Sequence, residues 1–320
     1  FAIDATREHN RSVILGLDLN SDAIDSDDRK AYLINLLSWL SEGAGYTTEV
    51  WVNNDPPEGW LDDPSHVASI EAGIDAVPPG GTVYIIGSDG QIYSENVAID
   101  KSVKLIGIDT PTIQASGTNV ITLTADWAQL QGVTIEGNSA ENALSLQMAV
   151  KCTITNCTLR NVAEAAISLS DSHNNTISNN LIYGAGSGIS AAMSLGNRIT
   201  GNIVRSNTEG GINLYKSSLT AISSNDIYNN GNYGAVVLDS LQEAVISNNT
   251  IHDNAGNGVH LISSSNKNVI TQNTIQNNSH GVSFEISNNN LILDNTITAN
   301  REHGVYIVDY SNGNTIRENT

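Results

Sequence analysis

The feature that most constrains what this chain can fold into is a period of about 23 residues. A leucine or isoleucine recurs at Leu130, Ile154, Ile177, Ile199, Ile222, Ile246, Ile270, Ile292 and Ile316, at spacings of 24, 23, 22, 23, 24, 24, 22 and 24. Self-similarity of this kind marks a solenoid, in which each repeat is one unit stacked on the next. Five residues after each anchor comes a second apolar position: Ile135, Leu159, Ile182, Val204, Ile227, Ile251, Ile275 and Ile297. A third recurs at Ile167, Ile189, Ile212, Val236, Val259, Val282 and Val305, and two residues beyond it lies a fourth, Leu169, Ala191, Leu214, Leu238, Leu261, Phe284 and Ile307. The i, i+2 pairing is strand periodicity with both side chains on one face. Helical repeats would need apolar residues three and four apart and would not tolerate this much Asn, Gly and β-branched sequence.

Because each column returns once per coil, every strand pairs in parallel with its copy about 4.8 Å away. The expected fold is all-β: a right-handed, single-stranded parallel β-helix with an N-terminal capping helix and a short α/β N-terminal segment. Asn recurs three residues after the anchor, at Asn180, Asn202, Asn225, Asn249, Asn273, Asn295 and Asn319, where it suits a bend and can bond its stacked copies as a ladder. Gly188, Gly211, Gly258, Gly281 and Gly304 precede the third strand, with Ala166 and Ala235 as exceptions, and are expected to turn the chain through positive φ. A single coil buries too few side chains to offset the ordering of its backbone, so coils are stable only when stacked, and each open end is a sticky edge.

The segment His66 to Val77 places Val67, Ile70, Ile74 and Val77 on one helical face. A turn at Pro78-Pro79-Gly80-Gly81 stops it before a strand at Thr82 to Ile86, so this helix is expected to cover the first coil. Residues 1–43 read as a truncated α/β segment, 44–65 as a linker, and 66–320 as the capping helix and solenoid, with both ends resembling cuts through a longer polypeptide. In the first segment a strand-like run, Ser12 to Leu19, precedes a helix from about Asp27 to Ser41. Asp18, Asn20, Asp22, Asp25 and Asp27 lack the glycine and terminal Glu of an EF-hand and are read as a solvated acidic loop rather than a calcium site.

Charge narrows the partners. The net charge is −20, of which −11 falls in residues 1–75, so nucleic acid and anionic membrane are disfavoured. No apolar run is long enough to span a bilayer. The two cysteines, Cys152 and Cys157, are five apart across one bend and are read as buried thiols filling core positions, with a disulfide as the alternative.

From Trp51 onward, the stretch containing HVASIEAGIDAVPPGGTVYIIGSDG and coils such as NTISNNLIYGAGSGI and VISNNTIHDNAGNGVHL resembles the NosD-like, pectin-lyase-like β-helix proteins of archaeal and bacterial cell surfaces. That resemblance implies the fold but not one function, because the same repeat serves lyases, hydrolases, epimerases, adhesins and structural proteins. Residues 1–43, with VILGLDL before a helix ending LLSWL, resemble the carboxyl-terminal end of glutamine-amidotransferase-like domains, without that family's catalytic residues.

Chemistry is sparse on the repeats. Neither the base-and-cation set of a uronate lyase nor the clustered Asp of a polygalacturonase is present, and the Gly-His-Gly and Asp-Pro-His-Asp signatures do not occur. Lys216, Asp239 and Glu243 are read as a surface ion pair. His280 and His303 should stack on adjacent coils beside Glu302, but no third ligand is evident from the spacing, so a solvated turn is expected and no metal or cofactor. Tyr183, Tyr228, His252, His260 and Tyr306 face outward as candidate glycan contacts. Asn10, Asn156, Asn174, Asn248 and Asn277 begin N-x-[ST] sequons, the acceptor of an exported glycoprotein. The expected role is a non-catalytic, extracellular or cell-surface protein for adhesion or filament assembly, contacting glycans or further copies of itself. The alternative is a polysaccharide lyase, hydrolase or epimerase.

Overall fold

The computed structural model describes residues 47–88 and 90–320. The segment 1–43, with its acidic loop and Asn10, lies outside the described residues. The chain winds as a right-handed parallel β-helix. Its anchor residues form one 13-stranded sheet, all parallel, in which Leu130, Ile154, Ile177 and Ile199 pair in register and so continue to Ile316. The second apolar position lies on short strands such as Thr158–Arg160 and Leu181–Tyr183, and the third and fourth on longer ones such as Ser187–Ala192 and Gly210–Tyr215. These make the second and third sheets.

The solenoid begins earlier than the anchor period indicates. Val50, Val83 and Leu105 pair in register ahead of Leu130, so the first sheet starts at Glu49–Val52, inside the stretch read as a linker. The period is obscured there because the coil from Val50 to Val83 also carries a helix. That helix, α1, spans only Ile70–Ala76. The expected start at His66 is corrected: His66–Val67 is a strand, pairing with Trp51–Val52 at the edge of the first sheet. Ser69 caps α1 by accepting from the Ala72 amide, and the Glu95 carboxylate accepts from the Ile70 and Glu71 amides. Covering of the first coil is tight, since a Cβ on Gly73 would stand 2.8 Å from methyls of both Val52 and Val83.

The interior holds a column of Ile, Leu and Val along with polar ladders. In the Asn column each side chain bonds the coil before it. Asn202 Oδ1 accepts from the Asn180 backbone amide at 3.0 Å and from Asn180 Nδ2 at 3.0 Å, while Asn202 Nδ2 donates to the Ile177 carbonyl at 2.9 Å. A second ladder (Asn207, Asn230, Asn254, Asn278) lines the next bend, and a third (Asn175, Asn197, Asn268, Asn290) precedes the anchor. Cys157 stands at the head of the first ladder and Cys152 at the head of the third, their amides donating to Asn180 Oδ1 and Asn175 Oδ1. Both thiols are buried and unbonded to each other, and burial pushes the Cys157 thiol up to about 11.

The left-handed positions differ from those expected. They recur one residue before each Asn ladder, for the first at Gly132, Asn156, Asn179, Gly201, Ser224, Asn248, Gln272, Asp294 and Glu318. The column glycines have ordinary negative φ. They are glycine because the next coil lies against them: a Cβ on Gly188 would meet a Val204 methyl at 2.5 Å and the Gly211 carbonyl at 2.6 Å.

Candidate functional site

The outer face of the third sheet carries the irregular residues. One outward column runs Ser168, Ser190, Asn213, Val237, His260, Ser283 and Tyr306 in register. A parallel column places Ala192, Tyr215 and Asp239 side by side. The position just before each column glycine holds Ser187, then Gly210 and Gly234, then Asn257, His280 and His303. Two successive coils therefore bring no side chain to that position, and a groove of about 810 Å³ opens there. Ser190 and Asn213 form its floor, Glu209 and Tyr233 one side, and Tyr215 and Asp239 the other.

Both tyrosine rings face solvent, Tyr215 at 43% and Tyr233 at 53% exposure. Asn213 Nδ2 donates to Ser187 Oγ at 2.9 Å, whereas Asn213 Oδ1 is shielded and has no hydrogen-bond partner. Such an orphaned acceptor is costly unless a donor reaches it. Glu209 holds Ser187 Oγ at 3.3 Å. The expected ion pair of Lys216 with Asp239 and Glu243 does not form among the described residues. The Lys216 ammonium lies over the Tyr215 ring, 4.9 Å from its centroid, and a side-chain hydrogen bond with Tyr215 raises its pKa. Asp239 is thus left to face the groove.

The predicted glycan contacts fall into two groups. Tyr183, Tyr228 and His252 lie on the second sheet in one column with Glu136, Arg160 and Arg205. Their ring faces are turned to one another along the rod. Arg205 covers Tyr183 at 4.6 Å, Arg160 donates to the Tyr183 hydroxyl at 3.0 Å and pairs with Glu136 at 2.9 Å, and Tyr228 stacks on His252 at 5.0 Å. His252 is also held between Asp226 at 3.1 Å and Asp253 at 2.7 Å, and that bond keeps the Asp253 carboxyl below its ordinary value. These contacts tie the column's side chains to one another, while Arg160 Nε is left without a partner. His260 and Tyr306 lie on the third sheet, in the groove's own column but further along the rod. Burial, then the neighbouring His280, lower the His260 pKa against the opposing pull of Glu285.

His280 and His303 lie on adjacent coils with ring centroids 5.2 Å apart. His280, His303 and Glu302 present donor atoms all within 4.8 Å of one another. The sequons at Asn156, Asn174, Asn248 and Asn277 all sit on exposed, left-handed bends.

Asn213, Tyr215, Tyr233 and Glu209 were not singled out from the sequence. The available signal was the break in the position before the column glycine, where Gly210 and Gly234 replace the larger residues of the other coils.

Two family models match the chain: a right-handed β-helix region over residues 117–275, and the periplasmic copper-binding protein NosD over residues 236–320. No curated protein matches. Among solved structures, the Dettilon tailspike protein gp208 superposes with a TM-score of 0.69 at 13% identity, covering 87% of this chain and 63% of its own. This chain therefore spans less than two thirds of that tailspike's length. An alginate lyase from Paenibacillus sp. gives 0.58 at 13% identity, covering 78% of this chain and 96% of its own. Pectate lyase Pel9A gives 0.58 at 14% identity, covering 86% of this chain and 80% of its own. At such identities the likeness is one of fold. Neither family model reaches residues 1–43, so the amidotransferase resemblance gains no support. Among the described residues no helix is long and apolar enough to cross a membrane. The family models and the solenoid together support a right-handed parallel β-helix protein.

Proposed function

We propose that this chain is a non-catalytic, exported β-helix that contacts a polar glycan through the groove on its third sheet, in an adhesive or structural role at the cell surface. The observation that carries this reading is the solvent-facing Tyr233 ring, set across a floor of hydrogen-bonding side chains from Tyr215, over whose ring Lys216 lies. Aromatic rings supply flat apolar contact to a sugar face, and Ser190, Asn213, Glu209 and Asp239 supply donors and acceptors for its hydroxyls. The named relatives include lyases of alginate and pectate, which supports a carbohydrate for the β-helix face. The groove's own chemistry points away from polyuronates. Its lining holds two carboxylates, against one ammonium, Lys216, over the Tyr215 ring, so its net negative charge disfavours a polyanion and suits a neutral or amino-bearing glycan. Export is supported by the periplasmic family model and by sequons on exposed bends.

The test is a glycan-array and affinity-electrophoresis screen of the chain beside its Tyr233→Ala and Asn213→Ala variants. Binding to neutral glycans that Tyr233→Ala weakens by about fivefold or more is expected, equivalent to about 1 kcal/mol. No binding above background, or binding that both variants leave intact, would remove the groove from consideration. A second reading, a glycan-processing enzyme, is favoured by one observation: Glu209 and Asp239 line the same groove. Reducing-end release that Glu209→Gln abolishes would establish it in place of the first.

A further inference from the structure

We infer that His280, His303 and Glu302 form a binding site for a divalent transition-metal ion of the Zn²⁺ type, independent of the groove and of any role it has. His280 Nδ1 and His303 Nδ1 stand 3.3 Å apart on adjacent coils. Two nitrogens bound to one tetrahedral ion at about 2.0–2.1 Å are separated by about 3.3–3.4 Å, so the pair is already at the bite of a metal. Without an ion only a shared proton can bridge them, and two imidazolium rings at this distance repel.

Second, the carboxylate is placed as a metal site requires. Glu302 Oε2 lies 3.5 Å from His280 Nε2, and the carboxylate and one nitrogen of each ring all lie within 4.8 Å of one another. A carboxylate beside Nε2 favours the tautomer with its proton there and leaves Nδ1, which lies 3.3 Å from His303 Nδ1, free to ligate, the arrangement by which outer partners orient metal-bound histidines. Ser279 Oγ fixes the same carboxylate by donating to Glu302 Oε1 at 2.9 Å.

Third, the rings are held. Tyr306 stacks on His280 at 4.5 Å and 12°, and on His303 at 5.2 Å and 27°. The imidazoles are therefore pre-oriented by the register of the solenoid. The third sheet fixes that register through backbone bonds from Gly258 to the His280 carbonyl and from Gly281 to the His303 carbonyl, each 2.9 Å. The side-chain ligands are two imidazole nitrogens with no sulfur, which suits a borderline divalent ion and neither Cu⁺ nor a hard cation such as Ca²⁺. Solvent reaches the exposed His303 side, leaving remaining coordination positions to water.

The experiment is calorimetric titration of the metal-stripped full chain with ZnCl₂, beside His303→Gln, Glu302→Gln and a control, Glu243→Gln. His303 is exposed, so its replacement leaves the fold intact, and thermal melts of each apo variant verify this. One saturable site is expected. His303→Gln should weaken it at least about 10-fold and Glu302→Gln by about 10–100-fold, the range for loss of a metal's outer partner. Glu243→Gln should bind as the parent does. Co²⁺ should give visible absorption in the parent that His303→Gln lacks. Absence of saturable Zn²⁺ binding, or His303→Gln binding as tightly as the parent, overturns the assignment. Glycan binding by the groove is measured separately, so the two readings fail independently.

Discussion

Replacing Asn202 by alanine tests the reading that the Asn ladders hold the coils in register. Asn202 is fully buried and joins three coils. Its removal takes the acceptor from the buried Asn180 backbone amide and the side-chain donor from the Ile177 carbonyl. Asn180 Nδ2 retains the Ile154 carbonyl and is not orphaned. Two groups are thus left short of a partner, at about 1–3 kcal/mol each, so the expected loss is about 2–6 kcal/mol. Aspartate should be worse. Its second oxygen would take the place of Nδ2, which now donates to the Ile177 carbonyl and to Asn225 Oδ1 at 3.0 Å, setting acceptor against acceptor in a dry interior. Equilibrium urea unfolding measures the cost, and native-state hydrogen exchange at the Asn180 amide localises it. A loss under about 1 kcal/mol for Asn202→Ala, or Asn202→Asp tolerated as well as alanine, would refute the ladder as a structural element and leave the Asn column as bend chemistry alone.

Three further outcomes follow from the packing. Gly188→Ala should destabilise by about 1–3 kcal/mol in the same unfolding assay, because the added methyl has no room against Val204 and the next coil; the same change at Gly304, whose nearest contact is 3.6 Å, should be much milder. The Tyr93 hydroxyl donates to the Val52 and Ile86 carbonyls, and burial raises its pKa from 10.0 to about 12. The unfolded chain therefore loses this proton first, so the contribution is complete below pH 10 and is lost as pH rises through about 12, a dependence that Tyr93→Phe should flatten in alkaline melts. Cys157, buried and raised to about 11, should resist thiol reagents at pH 8 in the native protein and react after unfolding. Intact mass should match two free thiols; rapid native labelling, or a mass two hydrogens lower, would contradict the buried, unbonded pair.

Metal and groove proposals rest on different coils of the same face, and this separation has a physical origin. Interior positions repeat because each must match the coil before and after it. Outward positions on the third sheet carry no such demand, so glycine, tyrosine, asparagine and histidine can alternate there at little cost to the rod. The column on the second sheet shows the limit of reading such positions singly. Tyr183 and Tyr228 look available in the sequence, yet their neighbours one coil away already occupy them.

The repeat in the sequence was enough to determine the parallel sheets, the register of the anchors from Leu130 to Ile316, and the first Asn ladder, because one period places every member of a column on its predecessor. It also located the helix that covers the first coil, though with too long a span: a 3.6-residue pattern cannot reveal that His66 and Val67 are taken by strand pairing. The tertiary structure alone decided what depends on distances across coils. It showed that the column glycines answer to contact rather than to φ, and that the left-handed bend falls one residue before the ladder. It opened the groove beside Gly210 and Gly234, and it brought Glu302 to the Nε2 of His280 and His303 to its Nδ1. A period fixes which residues stack, but the direction in which each side chain leaves the coil, and what it meets there, is set only when the neighbouring coils are in place.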